Sequence, residues 1–168
     1  MKQYNTAIYI IFHALSKCTP EKVYYQDNVT DWQYELIKTS TIQSLGITNI
    51  LKLLRVSVVM FTPQSTLIPK ELELEVVNDI YFLPPVVYSY FLLFLCHFHL
   101  NNVNQCYYSL RNLQLTISED YFISDIRSRS NNCLGVAYQL IGKRALAERA
   151  FRQAIEIEPK WNCASQRL

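Results

Sequence analysis

Apolar positions between residues 144 and 157 recur with a helical period. Leu146, Ala147, Ala150, Phe151, Ala154, Ile155 and Ile157 fall along one side, and Arg144, Glu148, Arg149, Arg152 and Glu156 along the other. The spacing predicts an amphipathic helix over 144–157. On its wet face Arg144–Glu148, Glu148–Arg152 and Arg152–Glu156 are i,i+4 pairs, worth roughly a few tenths of a kcal/mol each. A second apolar run, "VVYSYFLLFLCHFHL" over 86–100, has no Asp, Glu, Lys or Arg at all. A membrane-crossing helix needs about 20 apolar residues. The stretch from 85 to 100 reaches only about 24 Å at the helical rise. Pro84-Pro85 opens it, Asn101-Asn102 closes it, and His97 and His99 lie inside it. This punctuation belongs to a helix of a folded domain, buried on most sides by neighbouring helices.

The two runs share a frame. Gly142 is placed to end a helix before 144–157, at a position that favours positive φ, and Pro159 to end the helix after it. Setting Asn101 on Gly142 puts Leu93 on Leu134, His97 on Tyr138, Cys106 on Ala147, Leu110 on Phe151 and Leu113 on Ala154. Segments 85–100 and 103–116 therefore predict a helical hairpin related to the C-terminal one. With the link "TISEDYFISD" between them, the two frames stand 41 residues apart. At the N-terminus Ala7, Ile11 and Ala14 take the spacing of Ala147, Phe151 and Ala154, and Pro20 follows as a stop. This predicts the second helix of a repeat whose first helix is absent, with Met1 lying inside a repeat of a longer protein. The alternative is an ordinary amphipathic first helix. Ile8, Ile10, Ile11, Phe12, Ala14 and Leu15 wrap around most of that helix, so self-association through it is expected.

Residues 21–82 show no repeat. "TIQSLGITNILKLL" predicts a short helix with Thr41 as its cap. "RVSVVMF" predicts a strand or extended arm, and "STLIPKELELEV" an extended or short helical segment on the surface.

Composition narrows the class of protein. The 168 residues are half apolar, 18% charged and carry a net charge of +2 with both signs interspersed, which does not suit a nucleic-acid-binding face. Five cysteines, an odd number with no C-x-x-C pair, argue against a disulfide framework or a zinc site and for free thiols in a reducing, cytoplasmic setting. We read the sequon Asn28-Val29-Thr30 as chance. His97 and His99, two apart on a helix, point about 200° apart and do not suit one metal. The three glycines are scattered and make no phosphate loop. We expect no enzyme activity, no catalytic set, no cofactor and no metal.

Leu134-Gly135, Tyr138, Gly142, Ala147, Phe151, Ala154 and Pro159 resemble the tetratricopeptide repeat at each of its signature positions save the early Trp, where Asn131 stands. The fold expected is all-α, with about two and a half tetratricopeptide-type hairpins and a long, partly extended insertion. Residues 1–20 are the second helix of a truncated first repeat, 21–82 the insertion, 83–117 a diverged hairpin and 118–168 the C-terminal repeat. The segments "STLIPKELELEV", "LPPVVYSYFLLFLCHFHLNNVNQCYYSLRNLQLTI" and "LGVAYQLIGKRALAERAF" also resemble the C-terminal region of molluscan proteins that carry a Mab-type (male abnormal) nucleotidyltransferase-like domain, related to cyclic GMP–AMP synthase, ahead of tetratricopeptide repeats. The chain has no Gly-Ser dipeptide of the kind a nucleotidyltransferase would need. The resemblance implies an interaction module of a larger protein or, alternatively, the regulatory region of such a nucleotidyltransferase or cyclic-nucleotide sensor. The first helices of the hairpins would present Tyr88, Phe91, Leu95 and Phe98, and Arg129, Asn132, Val136 and Gln139, to a protein or peptide partner. This is an apolar, aromatic groove and no carboxylate clamp. It is either open or covered by the insertion or by neighbouring repeats.

Overall fold

The structure is a computed structural model and describes residues 2–18, 23–24, 31–44, 46, 55–77, 80–118, 124–159 and 163–168. The fold is all-α in character. Helix α1 spans Lys2–Leu15, α2 Asp31–Lys38, α3 Ser40–Gln43, α4 Pro85–His99, α5 Val103–Ser118, α6 Ser124–Leu140 and α7 Arg144–Ile157. Among the described residues there are also two 3₁₀ helices, Lys70–Val76 and Cys163–Gln166, and four short strands.

Helices α4 and α5 form one hairpin, and α6 and α7 a second. Both turns close in the same way. Asn101 and Gly142 sit in the left-handed region at φ 55° and 73°. The Asn101 N–H donates to the Phe98 carbonyl and the Asn102 N–H to that of His97; Gly142 and Lys143 do the same to Gln139 and Tyr138. These are the paired bonds of a Schellman motif, which satisfies carbonyls that a helix end leaves over. Pro85 stands at the first helical position of α4, where its missing N–H costs nothing.

Leu93 and Leu134, His97 and Tyr138, Cys106 and Ala147, Leu110 and Phe151, and Leu113 and Ala154 are all buried. The hairpins solve the contact differently. The Phe151 ring lies directly against Gly135 in the second; in the first, Phe94 takes the glycine's place and the shorter Leu110 that of Phe151. The Ser128 hydroxyl ties α6 to α7 by donating to the Ala154 carbonyl at 2.9 Å.

Helix α1 packs on α4 through Ile11, Ala7, Ile8 and Leu15, against Leu93 and Cys96. Of the three residues set on the repeat spacing, Ile11 is buried, Ala7 half-buried and Ala14 exposed. Pro20, the predicted stop, and the sequon at 28–30 lie outside the described residues.

The insertion differs from expectation in two places. Helix α3 starts at Ser40 after Thr39, so Thr41 lies inside it and not at the cap position. The segment 65–76 takes the short helical alternative, as the 3₁₀ helix Lys70–Val76 entered from Pro69, but it does not stay on the surface: it buries Leu72, Glu75 and Val76. Residues 47–54 of the predicted short helix, and 119–123 of the link, lie outside the described residues. Strand β1 (Val23–Tyr24) pairs in parallel with β2 (Arg55–Val56). Strand β3 (Val59–Phe61) pairs antiparallel with β4 (Tyr81–Leu83), in the register Val59 to Leu83 and Phe61 to Tyr81. The β3–β4 ribbon alternates as its sequence does. Phe61, Tyr81 and Leu83 face the core, and Met60 faces out.

Among the described residues no helix is long and apolar enough to cross a membrane. Helix α4 has fifteen residues and meets α1, α5 and α6.

Candidate functional site

The inner face of the hairpins, formed by α4 and α6, is where the sequence places a groove. The insertion packs onto this face at Tyr88, Arg129 and Asn132. Tyr88 is half-buried, with its ring edge-on to Phe61 at 5.3 Å. Phe91, Leu95 and Val136 are buried in the main core. Phe98 is half-buried, stacked on Phe94 and edge-on to His99. Arg129 lies 4.2 Å over the Phe82 ring and donates to the Ile80 carbonyl. Gln139 is exposed. Asn132 is buried and donates its amide to Glu75 Oε2 at 3.1 Å. These positions share one face of the hairpins, but they do not line an open groove.

The centre of this covered face is polar. Arg167 Nε meets Glu75 Oε1 at 3.0 Å, with the two side chains 10% and 2% exposed. The same guanidinium donates through Nη2 to the Glu71 carbonyl at 3.0 Å, and the Cys163 thiol reaches the Leu74 carbonyl at 3.2 Å. Residues 163–168 are thereby fastened onto the 3₁₀ helix. Beside this pair, the Tyr81 hydroxyl donates to the Arg129 carbonyl at 2.8 Å.

Burial decides the protonation of the cluster. It pushes the Glu75 carboxyl above the usual carboxylate range, and Arg167, Asn132 and Arg129 pull it back only in part. Burial, with help from Glu75, holds Cys133 well above an ordinary thiol. Tyr81 is held well above an ordinary phenol, first by burial and then by Cys133 and Glu75. A protonated, enclosed thiol is the reverse of what a nucleophile or a metal ligand needs. What the arrangement can do is hold one carboxylate between an arginine and an amide, inside an apolar collar.

The two histidines are kept apart. His97 is buried, and its Nδ1 has no hydrogen-bond partner. His99 stacks on Tyr4 at 5.5 Å and lies 3.4 Å from Glu71 Oε1. Among the described residues no group of His, Cys, Asp and Glu is placed to hold a metal ion. None of the five cysteines is joined in a disulfide.

Sequence reasoning missed two features. One is a cleft of about 410 Å³ between the outer helices α5 and α7, floored by α6. Leu134, Ala150 and Ile117 give it an apolar floor, and Arg127, Arg149 and Glu156 are among its charged lining. The Tyr138 hydroxyl crosses to Gln114 Oε1 at 2.9 Å. The other missed feature is the Glu75–Arg167 pair, for which no local pattern exists.

The flanks of α1 stay open. Tyr9 is 76% exposed, Ile10 60% and Phe12 50%.

Comparison with protein-family models, with curated proteins and with solved structures finds no match to this chain.

Proposed function

We propose that the chain is a protein–protein interaction module of the tetratricopeptide type, acting in the cytoplasm by binding and not by catalysis. The observation that carries this reading is the matched closure of the two hairpins. Asn101 and Gly142 take the same left-handed conformation and the same pair of hydrogen bonds, 41 residues apart, over matched buried positions. Hairpins repeated in this way stack into a continuous surface broader than any one of them, which is how helical repeats recruit partners. The open flanks of α1 add an apolar surface with two aromatic side chains, the kind of anchor that dominates protein interfaces.

The test is selection of displayed peptides and small domains against the folded wild-type chain. Ligands that bind saturably with micromolar Kd, and lose at least tenfold in affinity to the double variant Tyr9→Glu/Phe12→Glu, support the reading. A selection that yields no ligand preferring the native over the heat-unfolded chain overturns it.

A further inference from the structure

The segment that covers the inner face is a small structure with few anchors. In the 3₁₀ helix 70–76 only Leu72, Glu75 and Val76 are buried; Lys70, Glu73 and Leu74 face water, as does Val77 just after it. Hydrogen-bond geometry in a 3₁₀ helix is poorer than in an α-helix. Its polar anchor is Glu75, held by Asn132 on α6 and by Arg167, the next-to-last residue of the chain. A buried ion pair returns little net stability, because desolvation offsets the attraction. The upward push on the Glu75 carboxyl shows that here its partners do not fully offset that cost. By contrast, Tyr81 and Leu83 of β4 are fully buried and run directly into α4, so that part of the insertion belongs to the core.

We propose that the 3₁₀ helix 70–76 is a removable plug, and that the inner face it vacates on α4 and α6 binds a partner segment of the same chemistry: one carboxylate flanked by branched apolar side chains. This deepens the interaction-module reading and rests on it. The plug itself shows the recognition. Glu75 sets a carboxylate on Asn132 and Arg167, while Leu72 and Val76, three residues before it and one after, enter the apolar core. Residues 163–168 act as the latch, because Arg167 binds both the Glu75 carboxylate and the Glu71 carbonyl. A competing segment need only reproduce three side chains; beyond these the plug gives up the bond from the Cys163 thiol to the Leu74 carbonyl and the contact of Glu71 with His99.

The test uses the full chain. A variant with Leu72→Asp, Glu75→Lys and Val76→Asp disables the plug in place. A fluorescent peptide spanning residues 68–77 is then titrated in by anisotropy. The variant should keep its helical circular dichroism and bind this peptide at least tenfold tighter than the wild-type chain does. A peptide carrying Glu75→Lys should lose at least tenfold. A helical variant that fails to bind, or that binds both peptides equally, overturns the proposal. Hydrogen exchange on the wild-type chain is the second measurement, and it does not depend on any variant folding. Amides 71–76 should exchange at least a hundredfold faster than the interiors of α4 and α6. Equal protection would make the segment part of the same cooperative unit and overturn the proposal as well. Display selection on the wild-type chain samples surfaces with the plug in place, so the two readings fail separately.

Discussion

Replacing Gly135 by Ala sets two opposed effects against each other in one methyl group. Glycine inside a helix costs about 1 kcal/mol relative to alanine, so on propensity alone the change stabilises. Packing opposes it. A Cβ at position 135 would stand 2.6 Å from Phe151 Cδ1 and 2.8 Å from Cζ, with Cε1 nearer still. Comfortable carbon contacts lie near 3.5–4.0 Å, so the ring must retreat by about 1 Å. It has nowhere easy to go, since Phe151 is fully buried against the hairpin. Overpacking of this kind costs about 1–3 kcal/mol, and the rigidity of the site argues for the upper end. The net expectation is a loss of about 2 kcal/mol, or a fall of about 4–8 °C in Tm for a chain of this size. The first hairpin suggests the rescue, since it pairs Phe94 with the shorter Leu110. Phe151→Leu alone should cost about 1–2 kcal/mol for the cavity it leaves. Adding Gly135→Ala on top should then be neutral or stabilising by up to about 1 kcal/mol. Urea denaturation followed by circular dichroism on the four chains gives the coupling, which should be about 2–3 kcal/mol in favour of the double variant. Additive effects, or a Gly135→Ala chain more stable than wild type, would show that α6 and α7 do not meet at this contact.

The turns, the surface and one buried base give three further tests. Gly142→Ala should cost about 1–2 kcal/mol and Asn101→Ala about 1 kcal/mol, because both positions require a left-handed backbone, and Asn101→Gly should be neutral or stabilising by denaturation. Arg152→Ala should change stability by no more than about 0.5 kcal/mol, since its 2.6 Å pair with Glu148 lies in water, with both side chains more than half exposed. Burial lowers the pKa of His97, so the unfolded chain takes up a proton near 6.5 while the folded chain resists it. The His97 contribution is therefore full above that pH and is lost as pH falls through the lower folded value. Tm of the wild type minus that of His97→Gln should shrink between pH 7.5 and 5. Taking the difference removes the opposite contribution of Glu75, which is full below its ordinary pKa of 4.5 and fades as pH rises. It also removes the His99–Glu71 contact common to both chains. A difference that does not vary with pH would mean that His97 titrates normally.

The hairpins were legible because their signals are local. Gly142 and Asn101 mark turns through bonds that span five residues, and Ala147, Phe151 and Ala154 mark a buried stripe through the helical period alone. The alternation of "RVSVVMF" likewise predicted extended chain where β2 and β3 form. The fate of the inner face was not local. Which way "KELELEV" winds, and that Glu75 lies inside while Glu73 stays in water, depends on Asn132 and on Arg167, 57 and 92 residues further along the chain. A carboxylate reads as surface in any sequence window, because its burial is tolerable only when distant partners supply the hydrogen bonds that water would have given. The cleft between α5 and α7 has the same origin: it is set by how two hairpins lean on each other, a matter of side-chain volumes meeting across the link. Period and turn chemistry determined the elements of this protein; long-range packing decided which of their faces stayed open and which the chain keeps for itself.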